Sequence, residues 1–346
     1  MSSTDMPPRA HPLHDRWQRS VSYLRVSVTD RCNYACTYCA PLEGWSASKR
    51  EELLSLEELY ELIAVMVSMG VERVRFTGGE PLLRRGLTEL IKRVSKLSGV
   101  KELALTTNAH LLERSAAELY EAGLRRLNVS LDTFDHDEFK RVTRGGDLER
   151  VLRGLSAARE VGFEDIQINA VLTQDLPQEP SRWERFVRRC WSEGWTPRWI
   201  EVMPIGALDA QRSRLSNEEL RAALTEPLKL SATARGGADE PRSVRGPARY
   251  LSTALTEYRG ARVGFIDPLS DDGFCALCNR ARLTARGGLR ACLADDHEVD
   301  LKGPLRSGLH GPALRPFIDE ALYGKRPQHF MTSGLPPLSV MTSLGG

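Results

Sequence analysis

The sequence predicts an α/β protein built as a partial (β/α)6 barrel of the TIM type, followed by a C-terminal extension that carries a second set of cysteines. Three observations predict it. Six β-rich runs recur up to residue 203, amphipathic segments fall between them, and two sets of three cysteines lie one near each end of the chain. Strands that each lead into a helix before the next strand must run parallel, joined by right-handed crossovers. With 346 residues, 41% hydrophobic and 27% charged, the chain can bury a substantial core.

After a polar, Pro-rich leader (1–20), "YLRVSV" (23–28) reads as the first strand. The first helix spans 55–69, where Leu59, Leu62, Ile63, Met66 and Val67 share a face, and Ser55 with Glu58 forms a capping box at its start. "ERVRFT" (72–77) and a helix over 87–97 follow, then "KELALTT" (101–107) and 115–122, "RRLNVSLD" (125–132) and 148–161, "EDIQINAVL" (164–172) and 181–193, and "PRWIEVM" (197–203). This barrel unit covers 21–215. The extension, 216–346, opens with one more helix, "SNEELRAAL". It continues through an aperiodic Gly, Ala, Pro and Arg-rich surface loop (231–249) and then the second cysteine set. In such a barrel the site forms at the C-terminal ends of the strands, and Cys32 comes four residues after the first strand.

A net charge of +2 gives no field aimed at nucleic acid or a membrane surface. No run of about 18 apolar residues and no apolar leader occurs, so a cytoplasmic protein without a membrane span is expected. Seven cysteines, grouped as 32/36/39 and 275/278/292 with Cys190 alone, do not suggest a secreted disulfide framework.

Metal chemistry suits the two sets better. Cys-x-x-Cys by itself suggests zinc, but a structural zinc wants four ligands. Neither set offers an obvious fourth, since Cys190 falls within a helix and His297 in a polar stretch. Iron-sulfur clusters are held by thiolates, normally four. A [4Fe-4S] cube held by three leaves one iron open to a small chelating molecule.

Cys32-x3-Cys36-x2-Cys39, with Tyr38 before the last cysteine, resembles the signature of radical S-adenosylmethionine (SAM) enzymes. In that superfamily the open iron binds SAM, and one electron cleaves it to a 5′-deoxyadenosyl radical. The resemblance extends to "TGGEP" (77–81), and implies that Gly79 contacts SAM, Tyr38 lies by the adenine, Ser130 by the ribose or carboxylate, and Met203 near the adenine.

The second set, Cys275-x2-Cys278-x13-Cys292, together with "NRARL" (279–283) and the terminal Gly345-Gly346, is similar to the GTP 3′,8-cyclase family, which opens molybdenum cofactor (molybdopterin) biosynthesis. The resemblance implies two [4Fe-4S] clusters, SAM, GTP and an external one-electron donor. The adenosyl radical takes H-3′ of GTP, and the C3′ radical attacks C8 to give (8S)-3′,8-cyclo-7,8-dihydroguanosine 5′-triphosphate, the starting point for a downstream cyclic pyranopterin monophosphate synthase. A homodimer is compatible with it.

The second cluster orients the purine. A triphosphate needs buried cations, and the resemblance assigns Arg25, Arg75, Arg280 and Arg282 to it, with Thr106 as a polar contact and Arg198 as a further candidate; guanidinium forks match phosphate oxygens bidentately. Arg280 and Arg282, two apart, share one side of an extended strand. Gly345 and Gly346 are expected to thread into the site. Where the family commonly has a lysine, this chain has Gln167, which brings a hydrogen bond without a charge. The alternatives are a radical SAM peptide-modifying maturase with an auxiliary cluster and a zinc-stabilised scaffold. Cys190 is expected to be a packed thiol, and Asp295 with Asp296 a surface turn.

Overall fold

Alternation along each strand sorts the residues of the sheet onto two faces of opposite character. In the computed structural model, which describes residues 12–39, 47–173, 176, 179–205, 216–232 and 246–329, one face carries Leu24, Val26, Val74, Phe76, Leu105, Leu127, Val129 and Ile168, all essentially inaccessible to water. The other carries the partly buried Arg25 and the buried Arg75, Asn128, Gln167, Arg198 and Arg282. An ordinary parallel barrel fills its interior with branched aliphatic side chains. A polar, cationic interior instead marks a space meant for a ligand.

The apolar face is covered by helices placed as the periodicity predicts. Strands β1 (Tyr23–Ser27), β2 (Arg73–Thr77), β3 (Glu102–Thr107), β4 (Arg126–Ser130), β5 (Asp165–Val171) and β6 (Thr196–Ile200) alternate with helices. These are α1 (Leu56–Ser68), α2 (Leu87–Val94), α3 (Ala116–Glu121), α5 (Leu148–Glu160), α6 (Pro180–Ser192) and α7 (Asn217–Thr225). The capping box closes α1: the Glu58 N–H donates to Ser55 Oγ at 3.1 Å and the Ser55 N–H to Glu58 Oε2 at 2.7 Å. Cys190 is fully buried in α6, as expected of a packed thiol. No helix among the described residues is long and apolar enough to cross a membrane.

Two features of the fold differ from expectation. Between β4 and α5 lies an extra helix, α4 (His136–Thr143), capped by the Asp135 side chain accepting from the Glu138 N–H at 2.9 Å. The larger difference lies in the sheet. It has twelve strands, because the C-terminal region supplies both edges: β9 (Arg262–Ile266) pairs parallel with β6, and β10 (Arg280–Leu283) pairs parallel with β1. β7 (Leu230–Ser231) and β8 (Arg249–Thr253) continue antiparallel beyond β9, as do β11 (Gly288–Arg290) and β12 (Val299–Asp300) beyond β10. Eight strands thus run parallel, and the antiparallel ribbons at either end leave the sheet unclosed. The short runs in this region, two to five residues each, are too brief for periodicity to declare them.

Of the sequence-stretch expectations, residues 1–11 of the leader, 233–245 of the 231–249 loop, and the tail glycines Gly345 and Gly346 lie outside the described residues.

Candidate active site

The first cysteine loop leaves β1 and is pinned from three sides. From β2, the Gly79 N–H donates to Thr29 O and the Glu80 N–H to Arg31 O, both at 2.8 Å, so that "TGGEP" runs directly beneath the residues entering Cys32. A Cβ on Gly79 would stand 2.3 Å from Arg31 O, which is why glycine is required there. From α4, Val142 O and Thr143 O accept from the N–H groups of Thr37 (2.9 Å) and Ala35 (3.3 Å), so the unexpected helix spends its free C-terminal carbonyls on this loop. From β3, Asn108 donates to Asn33 Oδ1 at 2.9 Å and reaches Cys32 Sγ at 3.9 Å. Asn108 is fixed in turn by Glu80, which is wholly buried and accepts from the Asn108 N–H (2.7 Å), the Thr107 hydroxyl (2.7 Å) and the Leu82 N–H (3.0 Å). Burial pushes the Glu80 carboxyl up to about 7, against those three donors.

The two triads share a local design. In each, the Cys-x-x-Cys pair closes a turn: the Cys39 N–H donates to Cys36 O at 2.9 Å, and the Cys278 N–H to Cys275 O at 3.1 Å. In each, the remaining sulfur accepts from the N–H two residues on, Tyr34 to Cys32 Sγ and Ala294 to Cys292 Sγ, both at 3.4 Å. All six thiols are free, and all six line one cavity of about 270 Å³ at the C-terminal ends of the parallel strands.

That cavity also brings together Tyr38, Gly79, Ser130 and Met203, the four candidate SAM contacts, and Arg25, Arg75, Thr106, Arg198, Arg280 and Arg282. Tyr38 donates its hydroxyl to Asp132 Oδ2 at 2.8 Å, and Asp132 also accepts from the Val171 N–H at 2.8 Å. Met203 packs against Ile205, as do Leu293 and Ala294, which follow Cys292.

Guanidiniums dominate the wall. Register puts Arg282, Arg25 and Arg75 side by side on β10, β1 and β2. Burial together with the flanking Arg282 and Arg75 holds Arg25 well below the usual arginine range, and burial with Arg280 brings Arg282 down to about 10. Arg75 is lowered chiefly by burial, and its Nε is buried without a hydrogen-bond partner. Arg126, one layer lower, is different: carboxylates of Glu102 and Asp165 stand 3.1 and 3.3 Å from it. The upper arginines crowd one another as though awaiting a polyanion.

Gln167 is buried, and its Nε2 donates to Asp165 Oδ1 at 3.0 Å. The space above it is crossed by Arg198, which reaches from β6 over β5, donating from Nε and Nη2 to Asn169 Oδ1 (2.9 and 2.6 Å) and from Nη2 to Asn128 Oδ1 on β4 (2.7 Å). Position 167 lies in register between Asn128 and Thr196. Asp295 is more than a surface turn, since its carboxylate pairs with Arg326 at 3.0 Å.

The thiols fit clusters better than single ions. Among the described residues, no three His, Cys, Asp or Glu side chains converge closely enough to hold one metal ion. Thiolates that each ligate a different iron stand farther apart, and backbone N–H to sulfur contacts are a regular accompaniment of iron-sulfur ligation. Burial and mutual proximity push Cys36 well up and Cys39 up to about 12, a repulsion that iron cations would reverse. Burial also raises Cys278, but Arg280 and Lys325 outweigh it and bring that thiol down to about 6.

Sequence reasoning missed Glu80, Asn108, Asp132 and Asn169. Glu80 and Asp132 stood inside quoted motifs, "TGGEP" and "NVSLD" (128–132), but their partners come from other strands.

A family model described as the radical SAM superfamily matches residues 26–180, and one described as Molybdenum Cofactor Synthesis C matches 195–331. The chain is 40% identical over 324 residues to a GTP 3′,8-cyclase of Rhizobium leguminosarum bv. trifolii, covering 92% of this chain and 89% of that protein. It is 39% identical over 336 residues to one from Pelotomaculum thermopropionicum, covering 96% and 100%, and 39% identical over 333 residues to one from Pseudomonas putida, covering 95% and 96%. Among solved structures, Streptococcus suis SuiB superposes with a TM-score of 0.62 when bound to precursor peptide SuiA and 0.60 when bound to S-adenosylmethionine, at 15% and 17% identity, covering 89% and 88% of this chain and 67% of that one. At that identity the likeness shows the fold alone.

Proposed function

Because the chain belongs to the GTP 3′,8-cyclase family of radical SAM enzymes, we propose that its cationic cavity holds SAM over the first cysteine triad and GTP between the two triads. The enzyme catalyses the first step of molybdopterin biosynthesis, converting GTP to (8S)-3′,8-cyclo-7,8-dihydroguanosine 5′-triphosphate. The maturase alternative is not favoured, since the relatives at 39–40% identity are cyclases while the likeness to SuiB extends to the fold only.

A [4Fe-4S] cluster with bound SAM supplies the radical that removes hydrogen from the ribose. What the protein adds is position and charge. Gly79 lets backbone approach the SAM amino group, and Asp132 fixes the Tyr38 ring for the adenine, with Ser130 and Met203 beside it. Arg25, Arg75, Arg280, Arg282 and Arg198 receive the triphosphate, each already desolvated, so that ion pairing is strong and specific. Thr106, whose buried hydroxyl oxygen has no partner, is free to meet ribose or phosphate.

On this reading Cys275, Cys278 and Cys292 would hold a second cluster, which would orient the guanine base. Binding the base at one triad and SAM at the other brings C3′ within reach of the radical while water is excluded. An external one-electron donor would reduce the first cluster. The observation that carries this reading is the lining of one cavity by both triads together with the row of buried arginines.

Anaerobic reconstitution with iron and sulfide, followed by SAM, dithionite and GTP, tests it. About eight irons per chain and matched formation of 5′-deoxyadenosine and a cyclised nucleotide are expected. Deoxyadenosine formed without loss of GTP would contradict it, and zinc near stoichiometry would return the scaffold reading.

A further inference from the structure

Lys325 and Arg326, near the end of the described chain, contact the stretches that carry Cys278 and Cys292, and Arg19 joins them to Cys275. Lys325, only 3% exposed, donates from Nζ to Cys278 O at 3.1 Å and to Arg280 O at 2.9 Å. Arg326 pairs with Asp295, three residues beyond Cys292, at 3.0 Å. The carbonyls of Arg326 and Pro327 accept from Arg19 Nη2 (2.6 Å) and Nη1 (2.9 Å), and the same Nη1 donates to Cys275 O at 2.8 Å.

Arg19 is itself held rigidly. Its Nε meets Asp15 Oδ2 at 2.6 Å, and Asp15, almost fully buried, uses its other oxygen to accept from the N–H groups of Trp17 (2.9 Å) and Arg19 (3.0 Å). Trp17 closes the circuit by donating Nε1 to Lys325 O at 2.9 Å.

A buried ammonium is costly unless something compensates its charge. No carboxylate among the described residues pairs with Lys325; its ligands are the backbone of Cys278 and Arg280. Nor do Arg19's two terminal nitrogens meet carboxylates: they meet three carbonyls from two distant segments. Neither arrangement strengthens a helix or a sheet ladder. What they fix is the path of the backbone on either side of the second cysteine set and at the start of β10.

We propose that Arg19, Lys325 and Arg326 form a clasp that positions Cys275, Cys278 and Cys292 for a second iron-sulfur cluster, and β10 for its arginines. This rests on the preceding reading of the second triad. These are positioning residues: they touch backbone and Asp295, not substrate. His329, three residues beyond Arg326, lies in the cavity wall.

The test compares wild type with Lys325→Met and Arg19→Leu, and with the conservative Lys325→Arg and Arg19→Lys. After anaerobic reconstitution, Lys325→Met and Arg19→Leu are expected to fall from about eight to about four irons per chain, with the electron paramagnetic resonance signal of the first cluster and its response to SAM retained. The conservative variants are expected to recover most of the loss. In the metal-free full chain, alkylation read by mass spectrometry should be at least about fivefold faster at Cys275, Cys278 and Cys292 in Lys325→Met, and unchanged at Cys32, Cys36 and Cys39. A full iron complement in both Lys325→Met and Arg19→Leu, or equal acceleration at both triads, overturns the clasp. If wild type itself binds only four irons, the cluster reading fails, while the alkylation pattern still decides the clasp.

Discussion

Arg198 and Gln167 show how much a single side chain decides inside this barrel. Gln167 is too short to rise past Asp165, and the guanidinium of Arg198 occupies the space above it, oriented by two asparagine oxygens from neighbouring strands. Arg198 thus places a cation across β5, where Gln167 itself brings none. Removing it in Arg198→Met should raise KM for GTP roughly tenfold to hundredfold, the worth of about 1 to 3 kcal/mol for a charge-assisted contact. Lysine at 167 should then recover much of the loss, because its ammonium would enter the vacated space. An Arg198→Met variant with unchanged KM, or a Gln167→Lys change with the same effect in both backgrounds, would show that the two positions do not share a task. The sequence identified position 167 as a departure and Arg198 as a candidate, yet not their relation. That depends on which strands are neighbours and how far a side chain crosses, and no spacing within one strand encodes it.

At the scale of elements, the first cysteine loop is built by contact with others. The six parallel strands and their helices were readable because each repeats one period over enough residues, and the capping box of Ser55 with Glu58 marks where the first helix starts. Helix α4 was not readable: eight residues following the motif at 128–132, with only Phe139, Val142 and Thr143 buried, leave too narrow an apolar stripe. Its carbonyls nevertheless hold Ala35 and Thr37, just as Gly79 seats the backbone at Arg31. Gly79→Ala forces a methyl group against a backbone oxygen rather than a movable side chain, an overpacking of about 1 to 3 kcal/mol placed next to Cys32. The expected outcome is loss of the first cluster's signal and of 5′-deoxyadenosine formation, with the four irons of the second triad retained. Normal SAM cleavage by this variant would mean that the loop does not depend on that contact.

Taken as a whole, the described residues build one sheet in which the first strand and a strand of the C-terminal region are neighbours. β10 lies beside β1, so Arg282 is in register with Arg25 and Arg280 with Tyr23 across a parallel pair, and β9 lies beside β6. This is what turns two cysteine sets about 240 residues apart into walls of one cavity. The sequence suggested both sets and their chemistry through residue type and spacing. It did not reveal that the extension completes the barrel's edges, since strands of three to five residues carry too little pattern. The central claim is that the two triads do different work, the first meeting SAM and the second meeting GTP. The measurement that addresses it most directly is the electron paramagnetic resonance spectrum of a variant with Cys32, Cys36 and Cys39 all changed to Ala, reconstituted anaerobically and reduced with dithionite. The account predicts a spectrum from the remaining cluster that shifts on adding GTP and is indifferent to SAM. A spectrum that shifts with SAM, or that ignores GTP, would contradict it.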